Sequence, residues 1–217
     1  MSKRVLISII LLSTAGLMGL QAQDFSKFNF NIGGGITTPL NPTSDFVGIS
    51  GNFVVGAGYN INKKNSIVGE FSWNGLPPNN VIHVPNAPFG SINLYTITAN
   101  YRPHIDKIGH SPFGVYAIAG GGWYYRYASI DKNYVVAPDT PCLPIYFWWG
   151  FGCDTGIVTE QIAAKGNSAG GVNAGGGFTI RLADTGWKFY TESRYHYAWN
   201  NRFATTYVPV TFGFRFN

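Results

Sequence analysis

The sequence predicts an all-β chain folded as an eight-stranded antiparallel transmembrane up-and-down β-barrel. Three observations carry this. Apolar and polar residues alternate with period two through most of the chain, the signature of a strand whose side chains point to opposite faces. Only 12% of the residues are charged, while 45% are apolar and 16% aromatic; a soluble domain carries about 25% charge. The connections between the alternating segments are by turns short and long. Past the first 22 residues no apolar run approaches the roughly 20 needed for a membrane helix, so a helical membrane protein is excluded. The apolar content also excludes a disordered tail.

The N-terminus reads as a secretory signal peptide, residues 1–22. Lys3 and Arg4 are followed by the mostly apolar stretch Val5 to Leu20 and by Ala22, a small residue for cleavage. The stretch is short and interrupted by Ser8, Ser13 and Thr14, which disfavours a permanent anchor. Residues 23–217 then form the barrel domain. They hold 13 Lys and Arg against 10 Asp and Glu, a balance too even, and too scattered, to point to nucleic acid.

Each strand is justified by its own alternation. In the first, Phe28, Phe30 and Ile32 oppose Asn29 and Asn31; in the second, Phe53, Val55, Ala57 and Tyr59 oppose Gly56, Gly58 and Asn60. In Ile67–Trp73, Phe71 and Trp73 oppose Glu70 and Ser72. In Ser91–Arg102, Tyr95, Ile97, Ala99 and Tyr101 oppose Thr96, Thr98, Asn100 and Arg102. The segment Pro112–Ile130 is long and rich in Gly and Tyr, and its faces are open. In Val172–Leu182, Val172, Ala174, Phe178, Ile180 and Leu182 oppose Asn173, Thr179 and Arg181. Trp187 to Trp199 is the clearest case: every charge lies on the even face with Lys188, Glu192, Arg194 and His196, and Trp marks both ends of the oily face. The last strand sets Val208, Val210, Phe212, Phe214 and Phe216 against Pro209, Thr211, Gly213 and Arg215.

Short connections at Ile61–Asn65, Pro103–Ser111 and Ala183–Gly186 contrast with long ones at Thr37–Val47, Leu76–Gly90 and Asp131–Asn167, and an intermediate one at Asn200–Thr205. Short turns on one rim and long loops on the other are the layout of an outer-membrane barrel. In lipid every backbone polar group needs an internal partner, so the sheet must close. Ten residues at about 3.3 Å rise and about 40° tilt cover roughly 25 Å, the height of an outer-membrane apolar band.

Eight strands leave a lumen that side chains fill. Glu70 and Glu192 are its acids and Arg102, Arg181, Arg194 and Arg215 its bases, with Lys188 and His196 nearby. The expectation is a plug of Glu–Arg pairs and hydrogen bonds, not a core of Leu and Ile, and not an ion pathway. Because bases outnumber acids, some must sit near a rim or bind water. The triplets Gly33–Gly35, Gly120–Gly122 and Gly175–Gly177 fall in strand centres at similar expected height. They are read as room for long lumen side chains; no helix follows any of them, against a phosphate cradle.

The longest loop holds Cys142 and Cys153. In an exported chain these are expected as a disulfide, worth about 2–3 kcal/mol at most by loop entropy. Between them lie Tyr146, Phe147, Trp148, Trp149 and Phe151. Exposed aromatics at this density bind or pack on something: either a contact patch for a host surface, another protein or lipopolysaccharide, or a cap over the barrel mouth.

The signal peptide, the alternating strands, the Gly-Gly-Gly strand centres, the Thr-Glu-Ser-Arg-Tyr segment at 191–195 and the terminal Thr-Phe-Gly-Phe-Arg-Phe at 211–216 together resemble the OmpA-like/OmpX-like small outer-membrane β-barrel superfamily. The resemblance spans nearly all of residues 23–217. It implies residence in the cell outer membrane of a Gram-negative-type bacterium, and insertion by the barrel-assembly machinery through the aromatic ending. Asn217 departs from the pattern by following the usually terminal aromatic. Nothing follows the eighth strand, so a tether to the cell wall is not expected.

The functional expectation is a non-enzymatic barrel that displays its extracellular loops for surface structure, adhesion or binding. No cofactor or metal site is expected. The partners would be outer-membrane lipid and lipopolysaccharide, the assembly machinery and an extracellular ligand, with no nucleic acid, and the protein would be a monomer. Two alternatives are a small-solute pore and a barrel enzyme acting on lipid A. Deacylases of the latter kind carry a Ser two residues after a lipid-facing His; here Ala198 follows His196, which falls on the lumen face. A soluble lipocalin-like barrel would reverse the faces and leave its outer surface short of charge.

Overall fold

The computed structural model describes residues 26–79, 89–105, 112–135, 144–147, 150–153, 157–182 and 186–216. The strands are β1 (Phe28–Pro39), β2 (Ser50–Asn62), β3 (Asn65–Leu76), β4 (Phe89–Pro103), β5 (Phe113–Val135), β6 (Pro144–Phe147), β7 (Gly150–Cys153), β8 (Ile157–Arg181), β9 (Trp187–Ala198) and β10 (Thr205–Phe216). Eight of them form a closed barrel in the order β1-β10-β9-β8-β5-β4-β3-β2, while β6 and β7 pair only with each other. Every pairing is antiparallel, and β1 closes on β10 from Phe30↔Phe216 to Pro39↔Tyr207. Closure leaves no free sheet edge within the barrel wall, as lipid demands.

The alternation read from the sequence places the side chains. Phe28, Phe30, Ile32 and Ile36 are exposed on β1 while Asn29, Asn31 and Thr37 are buried. On β9, Glu192, Arg194 and His196 are buried and Trp187 and Tyr195 exposed. On an isolated barrel, exposed and apolar means facing lipid. Exposed aromatics stand near both rims. Phe28, Tyr59, Tyr101, Phe113 and Trp187 mark the short-turn rim, and Trp73, Trp123 and Trp199 the long-loop rim. Their polar tips find partners: Tyr101 Oη donates to Asn65 Oδ1 at 2.6 Å and Trp73 Nε1 to Asn93 Oδ1 at 2.9 Å. Such rings, apolar in body and polar at one end, suit a membrane–water boundary.

Local chemistry sets the short turns. Between β2 and β3, Asn62 Oδ1 accepts from the backbone N–H groups of Lys64 at 2.8 Å and Asn65 at 2.9 Å, an Asn side chain mimicking a turn carbonyl. Before β9, Gly186 takes φ 73°, a left-handed conformation that favours glycine.

β5 resolves the segment whose faces the sequence left open. Phe113, Val115 and Trp123 point out, and Tyr116, Ile118 and Tyr124 point in. The long connection after it is not all loop. β5 and β8 remain paired from Phe113↔Ile180 to Val135↔Ile157, whereas β9 accompanies β8 only from Gly171 to Arg181. A two-stranded ribbon therefore rises past the barrel on the long-loop side. The expectation of a loop from Asp131 to Asn167 fails there because Ala163, Ala164, Lys165, Gly166, Asn167 and Ser168 are all exposed. Neither face buries anything, so hydrophobic alternation was never required of them.

Candidate functional site

The lumen is built in two layers. The lower one is polar. Glu70 on β3 receives Arg102 Nη2 at 3.1 Å, Arg194 Nη1 at 2.6 Å, Asn100 Nδ2 at 2.7 Å and Asn31 Nδ2 at 3.1 Å. Arg194 forks: its other nitrogens reach Glu192 Oε1 on the same strand. Glu192 also accepts from Tyr116 Oη at 2.8 Å, and Arg215 Nη2 lies 3.8 Å from its second oxygen. Arg215 donates to Tyr116 Oη at 3.1 Å, and its guanidinium lies over the rings of Tyr116 at 4.6 Å and Tyr190 at 4.8 Å. Arg102 also approaches the Tyr116 ring, its guanidinium carbon 5.5 Å from the centroid. Three buried guanidiniums thus share two buried carboxylates, and the π faces of Tyr116 and Tyr190 supplement the acids for Arg102 and Arg215.

Five of the six residues read as a lumen network, Glu70, Arg102, Glu192, Arg194 and Arg215, come together here. Arg181 does not: it is exposed. It is the last residue of β8, so its inward parity points it past the rim into water, where a guanidinium needs no acid. The hub that sequence reasoning missed is Tyr116. Its signal was present in the odd-numbered outward residues Phe113, Val115 and Trp123, which put residue 116 on the lumen face.

Glycine makes the space. Gly56 is the cross-strand partner of Glu70, and a Cβ there would lie 2.6 Å from Glu70 Cγ. Gly177 and Gly175 face Glu192 and Arg194 across β8 and β9, and Gly213 faces Tyr190. The triplets do not share one level as expected. Gly120–Gly122 pair with Asn173, Val172 and Gly171, while Gly175–Gly177 pair with Ile118, Ala117 and Tyr116. Glycines follow the large lumen side chains around the barrel and not a common height.

The upper layer corrects the expectation of an ion-pair plug alone. Val47, Leu76, Leu94, Tyr124, Ala169, Ala198 and Tyr207 form a buried apolar cluster. The β1–β2 connection, with its 3-10 turn Thr43–Asp45, seats Val47 in it. That connection is stitched down: Thr206 N donates to Thr43 Oγ1 at 2.8 Å, Leu40 N to Thr206 O and Gly48 N to Pro77 O, each at 2.9 Å. An apolar lining is what a loop lid needs if it is to exclude water from the mouth. Between the layers, His196 stacks on Tyr207 with centroids 4.6 Å apart, and the hydroxyls of Tyr124 and Tyr207 lie 2.9 and 3.2 Å from its Nδ1. The void bordered by Glu70, Arg194, His196 and Thr211 is about 20 Å³, room for about one water.

The loop residues stand apart. Cys142, Trp148 and Trp149 lie outside the described residues, so the expected Cys142–Cys153 bond does too. Tyr146, Phe147 and Phe151 sit in the β6–β7 hairpin, registered Tyr146↔Phe151 and Phe147↔Gly150. The expected signal peptide also lies outside the described residues. Among the described residues no group of His, Cys, Asp and Glu side chains is arranged to hold a metal.

Known proteins give the fold a context. The barrel is similar to the crystal structure of Neisserial surface protein A, with a TM-score of 0.55 and 15% identity over 88% of this chain and 97% of that one. It is also similar to a major outer membrane protein from Thermus thermophilus, with a TM-score of 0.53 and 10% identity over 88% and 99% of the two chains. No curated protein matches the sequence. A family described as "Outer membrane protein beta-barrel domain" matches residues 8–216. With nearly the whole chain covered and a closed wall of eight antiparallel strands, this protein belongs to that family of outer-membrane β-barrels.

Proposed function

We propose that this protein is a non-enzymatic display barrel: a wall closed to solutes that holds its long loops at the cell surface. The observation that carries the reading is the pair of closures in one lumen, the Glu70–Arg194–Glu192 plug beneath the lid seated by Val47. A pore needs a continuous aqueous path, and an eight-stranded wall has no width to spare for one beside filled side chains. Against action on lipid A, His196 faces the lumen between two tyrosines and is buried, where no lipid ester reaches it. The β5–β8 ribbon carries the functional load in this reading. It lifts the β6–β7 hairpin and its aromatic run away from the membrane, with Cys142 and Cys153 joined as a brace. Export by a cleaved signal peptide, assembly by the barrel machinery and a monomeric state complete the proposal.

Folded protein in planar bilayers should pass no steady current. Replacing Trp148 and Trp149 with Ser should abolish binding to purified lipopolysaccharide or to immobilised host matrix while leaving heat stability unchanged. Lost stability without lost binding would overturn the contact reading. An altered lipid A acyl pattern in cells carrying the gene would overturn the non-enzymatic one.

A further inference from the structure

Beside β1 and β2 at the short-turn rim the outer wall is apolar, with Phe28, Phe30 and Tyr59 exposed. There a groove of about 540 Å³ is lined by Phe28, Phe30, Ala57, Gly58, Tyr59 and Phe216. The register explains it. Phe30 stands opposite both Ala57 and Phe216, and Phe28 opposite Tyr59, so a small residue is framed by rings. The Phe28 and Tyr59 rings meet edge to face at 5.8 Å and wall off one end. Phe28, Phe30, Ala57 and Tyr59 are exposed on the lipid-facing side of their strands, next to the rim, while Asn29 and Ser26 complete the lining.

The rim above the groove is basic. Lys27 lies between two groove residues, Ser26 and Phe28, and its carbonyl accepts from Asn60 N at 2.8 Å, which ties it to the end of β2. Lys63 and Lys64 follow in the β2–β3 turn, and Lys27, Lys63, Lys64 and Arg181 are all exposed. Among the described residues this rim carries no carboxylate. Over its full sequence, Lys27, Lys63, Lys64, Lys107, Arg181 and Lys188 stand against Asp24, Asp106 and Asp184.

An apolar slot opening under a cluster of cations fits one amphiphile: an acyl chain joined to an anionic head. We infer that this sector binds a phospholipid of net negative charge from the periplasmic leaflet, its chain along Ala57 and its phosphate beside Lys27, Lys63 and Lys64. The periplasmic side follows from the short turns, and a zwitterionic lipid offers the lysines no net charge. Each lysine near an anionic surface is worth about fivefold in affinity.

The test is native mass spectrometry of the folded mature chain released from micelles with equal dioleoyl-phosphatidylglycerol and dioleoyl-phosphatidylcholine. One phosphatidylglycerol should be retained in preference. The triple variant Lys27→Gln, Lys63→Gln, Lys64→Gln should lower that preference at least about tenfold. Ala57→Phe, which fills the groove on a lipid-facing position, should abolish retention with the heat-shifted gel band of a folded barrel intact; Ala57→Leu serves if the larger ring impairs folding. Equal retention of both lipids would overturn the inference. So would phosphatidylglycerol retention that survives the Ala57 variants, or a lysine-dependent pull-down of peptidoglycan sacculi with no lipid preference.

Discussion

Glu70→Gln is the sharpest probe of the plug. The carboxylate is 4% exposed and receives four donors, from Arg102 at 3.1 Å, Arg194 at 2.6 Å, Asn100 at 2.7 Å and Asn31 at 3.1 Å. The amide keeps the shape but loses the charge, and it turns one acceptor oxygen into a donor facing donors. Three buried guanidiniums are then left with Glu192 alone. Charge-assisted hydrogen bonds contribute about 1.5–3 kcal/mol each, but one amide oxygen still accepts, so their full sum is not lost. Breaking a buried pair by removing one partner costs about 3–5 kcal/mol, and that is the destabilisation expected. The assay is urea unfolding in phospholipid vesicles followed by tryptophan fluorescence, with the gel shift on heating to verify folding. Adding Arg102→Met removes one of the stranded cations, so the double variant should cost at least about 1.5 kcal/mol less than the sum of the singles. A loss under about 1 kcal/mol, or strict additivity, would refute the claim that this carboxylate organises the lumen.

Three further outcomes follow from the same structure. Gly56→Ala places a Cβ 2.6 Å from Glu70 Cγ and 2.8 Å from Asn31 Oδ1, and should cost about 1–3 kcal/mol by overpacking, read in the same unfolding experiment. Ile97→Arg puts a charge on a lipid-facing position that is 56% exposed; it should cost about 2–4 kcal/mol in a bilayer, and a variant as stable as the parent would reverse the assignment of faces. Val47→Ala trims the lid residue in the upper apolar cluster and should cost about 1–2 kcal/mol, while planar-bilayer recordings stay silent because the ion-pair plug lies beneath it.

Much of the fold was legible because a lipid-facing barrel imposes one rule on every strand. Each must present an oily face outward and a polar face inward, and a period of two records that rule in any strand long enough to count. Glu70, Arg102, Glu192, Arg194 and Arg215 could be named from parity alone. Parity carries no height, however. It placed Arg181 inward without showing that β8 ends there, in water. Where neither face is constrained the rule is silent, as in residues 163–168, so the ribbon beyond the barrel left no trace. In β5 the run of glycines thinned the pattern and hid Tyr116.

By itself, then, the sequence determined which side of the wall each residue of the seven clear strands occupies, and hence that the sheet closes in a membrane; that choice is local, fixed by the energy of each side chain in hydrocarbon or in a polar lumen. Only the tertiary structure decided which acid meets which base, that Tyr116 sits between Arg215 and Glu192, and that the β1–β2 connection seats Val47 over Leu94 and Tyr124. Those pairings depend on the shear of the closed barrel and on how the turns bring strands 30 or more residues apart to one level, and no alternation within a single strand encodes that.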